Sequence, residues 1–188
     1  MVAGPNGSGK STLTLRLMES GIDFGEYLNA DDIALTLQGT TRQIAASAQI
    51  EVRKRRETAL AEGRDHAFET VMSHPSHIDY LRSARKAGFE VVLYFVATED
   101  PQFNVRRVAN RVLHGGHDVP SDCIIARYHR CLANLPAAIA VAHSGLIFDN
   151  TSAEHGFLPV ARIADGRAVA LAGQFVPPRW WQVVAVQL

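Results

Sequence analysis

The sequence predicts an α/β domain: a parallel sheet with helices on both faces, plus an antiparallel hairpin near the C-terminal end. Three observations carry that expectation. Short apolar runs alternate with helical stretches along most of the 188 residues, the pattern of strands joined by helical crossovers. The segment Phe89–Ala97 (FEVVLYFVA) is almost continuously apolar, as a strand covered on both faces must be. A glycine-rich loop, Gly4-Pro-Asn-Gly-Ser-Gly-Lys-Ser11, lies between an apolar stub and an amphipathic stretch, where such a loop joins a strand to a helix.

The elements follow in order. Met1–Ala3 reads as the end of a first strand and Lys10–Ser20 as a helix stopped by Gly21. Glu26–Leu28 is a short strand and Asp31–Leu37 a short helix. Thr41–Glu62 is a long helix with Ala45, Val52 and Ala59 on one face, closed by Gly63. Asp65–Glu69 is a strand, Ser76–Ala87 a helix before Gly88, and Phe89–Ala97 the central strand. Asp100 before Pro101 is a helix start, a capping carboxylate followed by proline at the first helical position. That helix reaches Leu113. Gly115–Pro120 (GGHDVP) breaks the pattern, and Ser121 opens another helix toward His143, with Pro136 as a kink or a division. Gly145–Asp149 is a strand. Val160–Ala164 and Ala168–Ala172 flank an Asp-Gly turn and read as a hairpin. Trp181–Gln187 reads as one more strand, and the Trp180-Trp181 pair as core. The expected organisation is a core over residues 1–150 with a lid at 114–120, and a C-terminal extension of the same domain over 151–188.

Composition narrows the functional classes. Lys and Arg number 19 and Asp and Glu 19, for zero formal net charge, which argues against a nucleic-acid binder. The zero conceals segregation: two basic face five acidic side chains in residues 1–40, and five face two in 101–147. No apolar run approaches the roughly 20 residues that span a bilayer. Cys123 and Cys131, placed on one helix, sit about 12 Å apart along its axis, too far for a disulfide. Reduced thiols and the absence of room for a signal peptide before Gly4 point to the cytoplasm. Only three residues precede the loop, so the expectation is either an unusually short first strand or a start further upstream.

The loop matches G-x-x-x-x-G-K-[ST]. Gly4, Gly7 and Gly9 let the backbone wind around phosphates. The following helix turns its positive dipole end toward them. Lys10 is placed to reach the β- and γ-phosphates, and the Ser11 hydroxyl to hold Mg²⁺. Gly4, Pro5, Asn6, Gly7, Ser8, Gly9, Lys10, Ser11 and Thr12 are thus the expected ATP-binding residues. The only lysines are Lys10, Lys54 and Lys86, none after an asparagine, so guanine recognition through Asn-Lys-x-Asp has no support. No Ser-Gly-Gly-Gln signature of transporter ATPases is present. Small-molecule kinases remain.

Such enzymes use a base, a lid and arginines. Asp31 and Asp32 follow a short strand (YLNADD). Either is a candidate to accept a proton from a substrate hydroxyl, and either a candidate to cap the next helix. Glu69 ends the strand HAFE, where a carboxylate supports Mg²⁺ or binds a substrate hydroxyl. Arg107 and Arg111 are four apart and share a helix face, while Arg127 and Arg130 lie beyond GGHDVP. Arginine-bearing helices flanking a mobile loop form a clamp for a transferring phosphate. Arg53-Lys54-Arg55-Arg56 is interleaved with Glu51, Glu57 and Glu62 and reads as a solvated, ion-paired helix face. His74, His77, His114, His117 and His129 are too scattered for a metal-ligand pattern.

Taken together, GPNGSGKST, NADDIA, FETVMS, NVRRVANRV, GGHDVP, RYHR, NLP and FDN resemble the zeta-toxin family of P-loop kinases. The likeness is to its short, stand-alone bacterial members, and covers Val2 to Asn150. The resemblance implies ATP-dependent phosphorylation of a hydroxyl, in well-studied members the sugar 3′-hydroxyl of UDP-N-acetylglucosamine, and a small antitoxin partner. It selects Asp31 over Asp32 as the base. It matches Glu69 and Thr70 to the substrate side, and Arg111 to the first γ-phosphate arginine. The second arginine of classical toxins lies in the lid, where this chain has Gly115-Gly116-His117, so His117 or Arg127 takes that place. Glu51 is a loose match to a glutamate on the long helix. Classical members carry more sequence around the substrate, so a small hydroxylated acceptor is implied more strongly than the sugar nucleotide. The alternatives are a kinase for a nucleoside, sugar acid or antibiotic, and a nucleotide-binding regulatory module without transfer.

Overall fold

The computed structural model describes residues 1–116, 118–152, 154–171 and 176–188, with the side chains of Thr41 and Arg42 excepted. In chain order the elements are β1 (Val2–Ala3), α1 (Lys10–Glu19), β2 (Glu26–Leu28), α2 (Ala30–Ala34), α3 (Thr41–Ala61), β3 (His66–Thr70) and α4 (Ser76–Lys86). They continue as β4 (Val92–Ala97), α5 (Pro101–Leu113), α6 (Ser121–Val141), β5 (Ser144–Asp149), β6 (Leu158–Ala164), β7 (Arg167–Ala170) and α7 (Arg179–Ala185). The expected α/β class is the observed one. The chain divides into two compact units: Met1–Leu15 with Thr70–Leu188, and Arg16–Glu69.

In the larger unit β1 pairs in parallel with β4, with Val2 opposite Tyr94, and β4 in parallel with β5, with Tyr94 opposite Leu146. The sheet then turns antiparallel through β5–β6 and β6–β7. Its core is aliphatic and aromatic: Leu93, Phe95, Val96 and Ile147 are fully buried. The central strand starts at Val92, three residues later than expected. The Val91 amide goes to Nδ1 of His143 at 2.9 Å instead of entering the ladder. On α6, Ile124, Tyr128, Cys131, Leu135 and Ala138 are buried, three or four residues apart, as one helix face requires. The helix runs through Pro136 as a single element, at the cost of one backbone hydrogen bond. Both thiols on it are free, and burial pushes the Cys131 thiol up.

The C-terminal segment corrects one expectation. Trp181–Gln187 is not a strand; α7 occupies Arg179–Ala185. The β-branched run WWQVVAV favours a strand locally, but packing overrides it. Trp180, Trp181 and Val184 are buried, while Val183 and Val186 are 64% and 89% exposed, a helical and not an alternating division. A polar anchor reinforces this. Trp180 Nε1 donates to Oδ2 of buried Asp149 at 2.7 Å, and Thr151 donates its hydroxyl to Oδ2 at 2.9 Å and its amide to Oδ1 at 3.0 Å. The tryptophan pair is core, as expected. Replacing Trp180 with phenylalanine keeps an aromatic ring but removes the N–H donor and the pyrrole half of the buried indole. It is expected to lower stability by about 1–3 kcal/mol for under-satisfying a buried polar group, with a further loss for the gap left in the core; urea denaturation checks this. The expected hairpin is present as β6 and β7, with Ala172 outside the described residues.

The smaller unit pairs β2 with β3 in parallel, Tyr27 opposite Ala67 and Leu28 opposite Phe68. Helix α3 opens with a capping box between Thr40 and Gln43. Its exposed face carries the Arg53–Glu57 and Arg55–Glu51 pairs at 2.9 and 2.8 Å, worth little individually. Arg56 departs from the solvated face expected for the basic cluster. It is 9% exposed and its guanidinium lies 4.9 Å from the centre of the Phe68 ring. Ala48, Val52, Arg56 and Ala59 are the buried positions, spaced by three and four along one face, so Arg56 is inward by period despite its charge.

Candidate functional site

The loop between β1 and α1 has its tight winding from glycine. Gly7 and Gly9 adopt φ of +73° and +100°, a region that side chains disfavour. A Cβ on Gly9 would stand 2.5 Å from Asn150 Nδ2 and 3.4 Å from the Phe157 ring. Lys10 Nζ folds back onto the loop and donates to Pro5 O at 3.0 Å. Ser11 and Thr12 are exposed at the start of α1. Ser8 Oγ and Asn6 Oδ1 are buried without a hydrogen-bond partner among the described residues. Orphaned polar groups of this kind are rare in folded proteins, and here both lie in the loop. A phosphate with its cation would engage them, so these residues fit a nucleotide.

The rest of the larger unit braces the loop. Asn150 follows β5, donates its backbone amide to Ala97 O at 2.8 Å and its side-chain amide to Ser8 O at 2.8 Å. The sequence shows Asn150 within FDN, but only the fold brings it to the loop 142 residues away. On α5, Asn104 is fully buried, accepts from the Thr98 hydroxyl, and leaves Nδ2 without a partner among the described residues. Tyr128 donates to Thr98 O at 2.6 Å, and burial raises its phenol further above its ordinary range. Arg107 is half-buried, with Nη1 unpartnered among the described residues. Burial lowers its pKa, against the opposing pull of the Asp149 carboxylate. Arg111 is exposed in the last turn of the same helix. Arg127 on α6 is half-buried and Arg130 exposed; α5 and α6 pack on each other. Of the lid, His117 lies outside the described residues.

Thr70 also belongs to this unit. Its carbonyl accepts from the Gly4 amide at 3.2 Å, and its hydroxyl from the Met72 amide at 3.0 Å.

In the smaller unit neither aspartate caps α2. Asn29 does so, its side chain accepting from the Asp31 amide at 2.9 Å. Asp31 and Asp32 therefore occupy the first turn, both exposed, with their carboxylates free of the capping task. Asp32, Tyr27, Asn29, Ile33, Thr36 and Arg55 line a cavity of about 210 Å³; Asp31 does not. Glu69 is half-buried and accepts from the Tyr27 hydroxyl at 2.6 Å, so it is more than a solvated strand-end acid.

A glycine-wound loop closed by lysine and serine between a parallel strand and a helix defines a P-loop nucleotide-binding protein. Residues 1–136 match the family model described as AAA domain, and the chain belongs to that family. A Haemophilus influenzae protein described as uncharacterized is 26% identical over 129 residues, covering 66% of this chain and 88% of that protein. The crystal structure of AvrRxo1-ORF1:-ORF2 with ATP is similar with TM-score 0.67 at 16% identity, over 98% of this chain and 62% of that chain. This chain therefore spans less than two thirds of that neighbour. The PezAT toxin-antitoxin structure of Streptococcus pneumoniae is similar with TM-score 0.61 at 14% identity, over 100% of this chain and 83% of that one. At these identities the likeness is one of fold, a P-loop kinase-like α/β fold. No helix among the described residues is long and apolar enough to cross a membrane.

Proposed function

We propose that the protein is a phosphotransferase that moves the γ-phosphate of ATP to a hydroxyl of a small molecule, with a UDP-activated amino sugar as the first acceptor to test. The observation that carries this reading is the P-loop with its orphaned Ser8 hydroxyl and inward Lys10, in a unit that also holds the arginines of α5 and α6. Gly4 to Thr12 hold the nucleotide. Ser11 holds Mg²⁺, which when bound draws off phosphate charge. Asp31 accepts the acceptor hydroxyl proton as the acceptor oxygen bonds to the γ-phosphorus and the bond to the ADP oxygen breaks. Lys10, Arg111 and Arg127 neutralise the charge of the moving group. Glu69 and Thr70 hold the acceptor; His117 is assigned to the same side.

The zeta-toxin resemblance supports these roles residue by residue, and it supports a small antitoxin protein as partner. The free thiols are in keeping with a cytoplasmic setting. The test is incubation of the purified protein with Mg-ATP and a panel of UDP-sugars, nucleosides and sugar acids. Stoichiometric ADP and a phosphorylated acceptor, identified by mass spectrometry, are expected. Nucleotide binding with no transfer to any acceptor would instead identify a regulatory module.

A further inference from the structure

We infer that Asn134 is a positioning residue for the acceptor side: its side-chain amide clamps a strained turn after β3 and thereby orients the Thr70 hydroxyl toward the acceptor. The inference rests on the phosphotransfer reading above.

The turn is unusual. Met72 is fully buried and has φ of +54°, a left-handed conformation costing roughly 1–2 kcal/mol for a residue with a Cβ. Strain of this kind persists only where the surroundings over-determine it, and it collects at functional sites. The surroundings here are explicit. Asn134 Nδ2 donates to Met72 O at 2.9 Å from 62 residues away. The Met72 amide donates to Thr70 Oγ1 at 3.0 Å. Gly4, the first residue of the nucleotide loop, donates its amide to Thr70 O at 3.2 Å. A single hydrogen-bonded path therefore runs from α6 through Met72 and Thr70 to the nucleotide loop. Leu135, fully buried next to Asn134, anchors the helix at the point where the path starts.

The consequence is chemical. A threonine hydroxyl has one proton and two lone pairs. With one lone pair committed to the Met72 amide, the hydroxyl proton is directed away from the turn. Thr70 therefore presents that proton together with its second lone pair, a combination that suits a hydroxyl of the acceptor, which both accepts and donates. Without Asn134 the strained turn relaxes, the Met72 amide leaves Thr70, and that direction is lost. The Gly4 end of the path keeps its loop geometry from the glycine winding already described, so nucleotide affinity is spared.

The test compares the wild type with Asn134→Ala and with Asn134→Asp, which keeps the volume but turns an oxygen toward Met72 O. Amide hydrogen exchange over residues 70–73 reads the clamp without any need for activity. Exchange about tenfold faster in both variants is expected, the weight of about one hydrogen bond. Steady-state kinetics with UDP-N-acetylglucosamine and ATP read the role. KM for the sugar nucleotide should rise about tenfold and KM for ATP stay within about twofold. Unchanged exchange in Asn134→Ala would overturn the clamp. Faster exchange with equal changes in both KM values would reduce Asn134 to a structural residue and overturn the positioning role. Absence of transfer by the wild type to every acceptor of the panel would remove the phosphotransfer reading and the positioning role together, while the exchange result still decides whether the clamp exists.

Discussion

Replacing Lys10 with alanine is expected to lower turnover by about 10²–10³-fold, the scale of losing one preorganised charge-stabilising group, and to weaken ATP binding. The reason is local. Lys10 is the sole lysine of the loop, and its amine is already turned inward, resting on Pro5 O at 3.0 Å. In the free protein that contact occupies the ammonium with a neutral carbonyl. A phosphate oxygen, being charged, competes for it strongly. The fold should not suffer, because the glycine winding and the Asn150–Ser8 bond do not involve the lysine side chain. Isothermal titration with ATP, steady-state turnover and a thermal melt check the three parts. A variant with normal affinity and turnover would remove the loop from the mechanism.

Asp31→Asn is expected to cost about 10²–10⁴ in kcat, the contribution of a general base, while Asp32→Asn stays within about threefold. The pair is a controlled comparison because of Asn29. Both aspartates lie in the first turn of α2 and neither carries the cap. Each carboxylate contributes a similar favourable interaction with the helix dipole, about 0.3–1 kcal/mol. Losing that interaction is common to the two variants, so a difference in kcat reports chemistry and not helix stability. Single-turnover measurements with Mg-ATP and the acceptor check it. Equal effects of the two substitutions would remove the distinction between the residues. A larger effect at Asp32, which lines the cavity with Arg55, would transfer the base role to it.

Legibility followed the range of the interactions involved. The helix start at Asp100-Pro101 was readable because a cap is settled within four residues: the Asp100 side chain accepts from the Gln102 amide at 2.7 Å. The ion-paired face of α3 was readable for the same reason, its partners being one turn apart. The burial of Arg56 was not legible, because its charge masks its inward period; Phe68, from another element, covers it. The C-terminal helix was not legible because the run around Trp181 has strand propensity. What decides it is the packing of Trp180, Trp181 and Val184 into the core, reinforced by the Trp180 N–H on the carboxylate of Asp149, 31 residues away. Two aspartates in YLNADD offer the capping role, whereas the neighbouring Asn29 performs it.

For the site, the sequence by itself determined the nucleotide loop. Three glycines, a lysine and a serine at fixed spacing constrain the backbone locally, and no distant partner is needed to wind it. It also determined the α/β class, since alternation of apolar and helical segments is written along the chain. Only the tertiary structure decided which polar groups serve that loop. Asn150 reaches Ser8, Thr70 receives Gly4, and Asn134 holds Met72. Each is a single directional hydrogen bond between segments far apart in sequence. Such a bond leaves no periodic trace in composition or pattern, and forms only once sheet register and helix packing have set both ends within about 3 Å of each other.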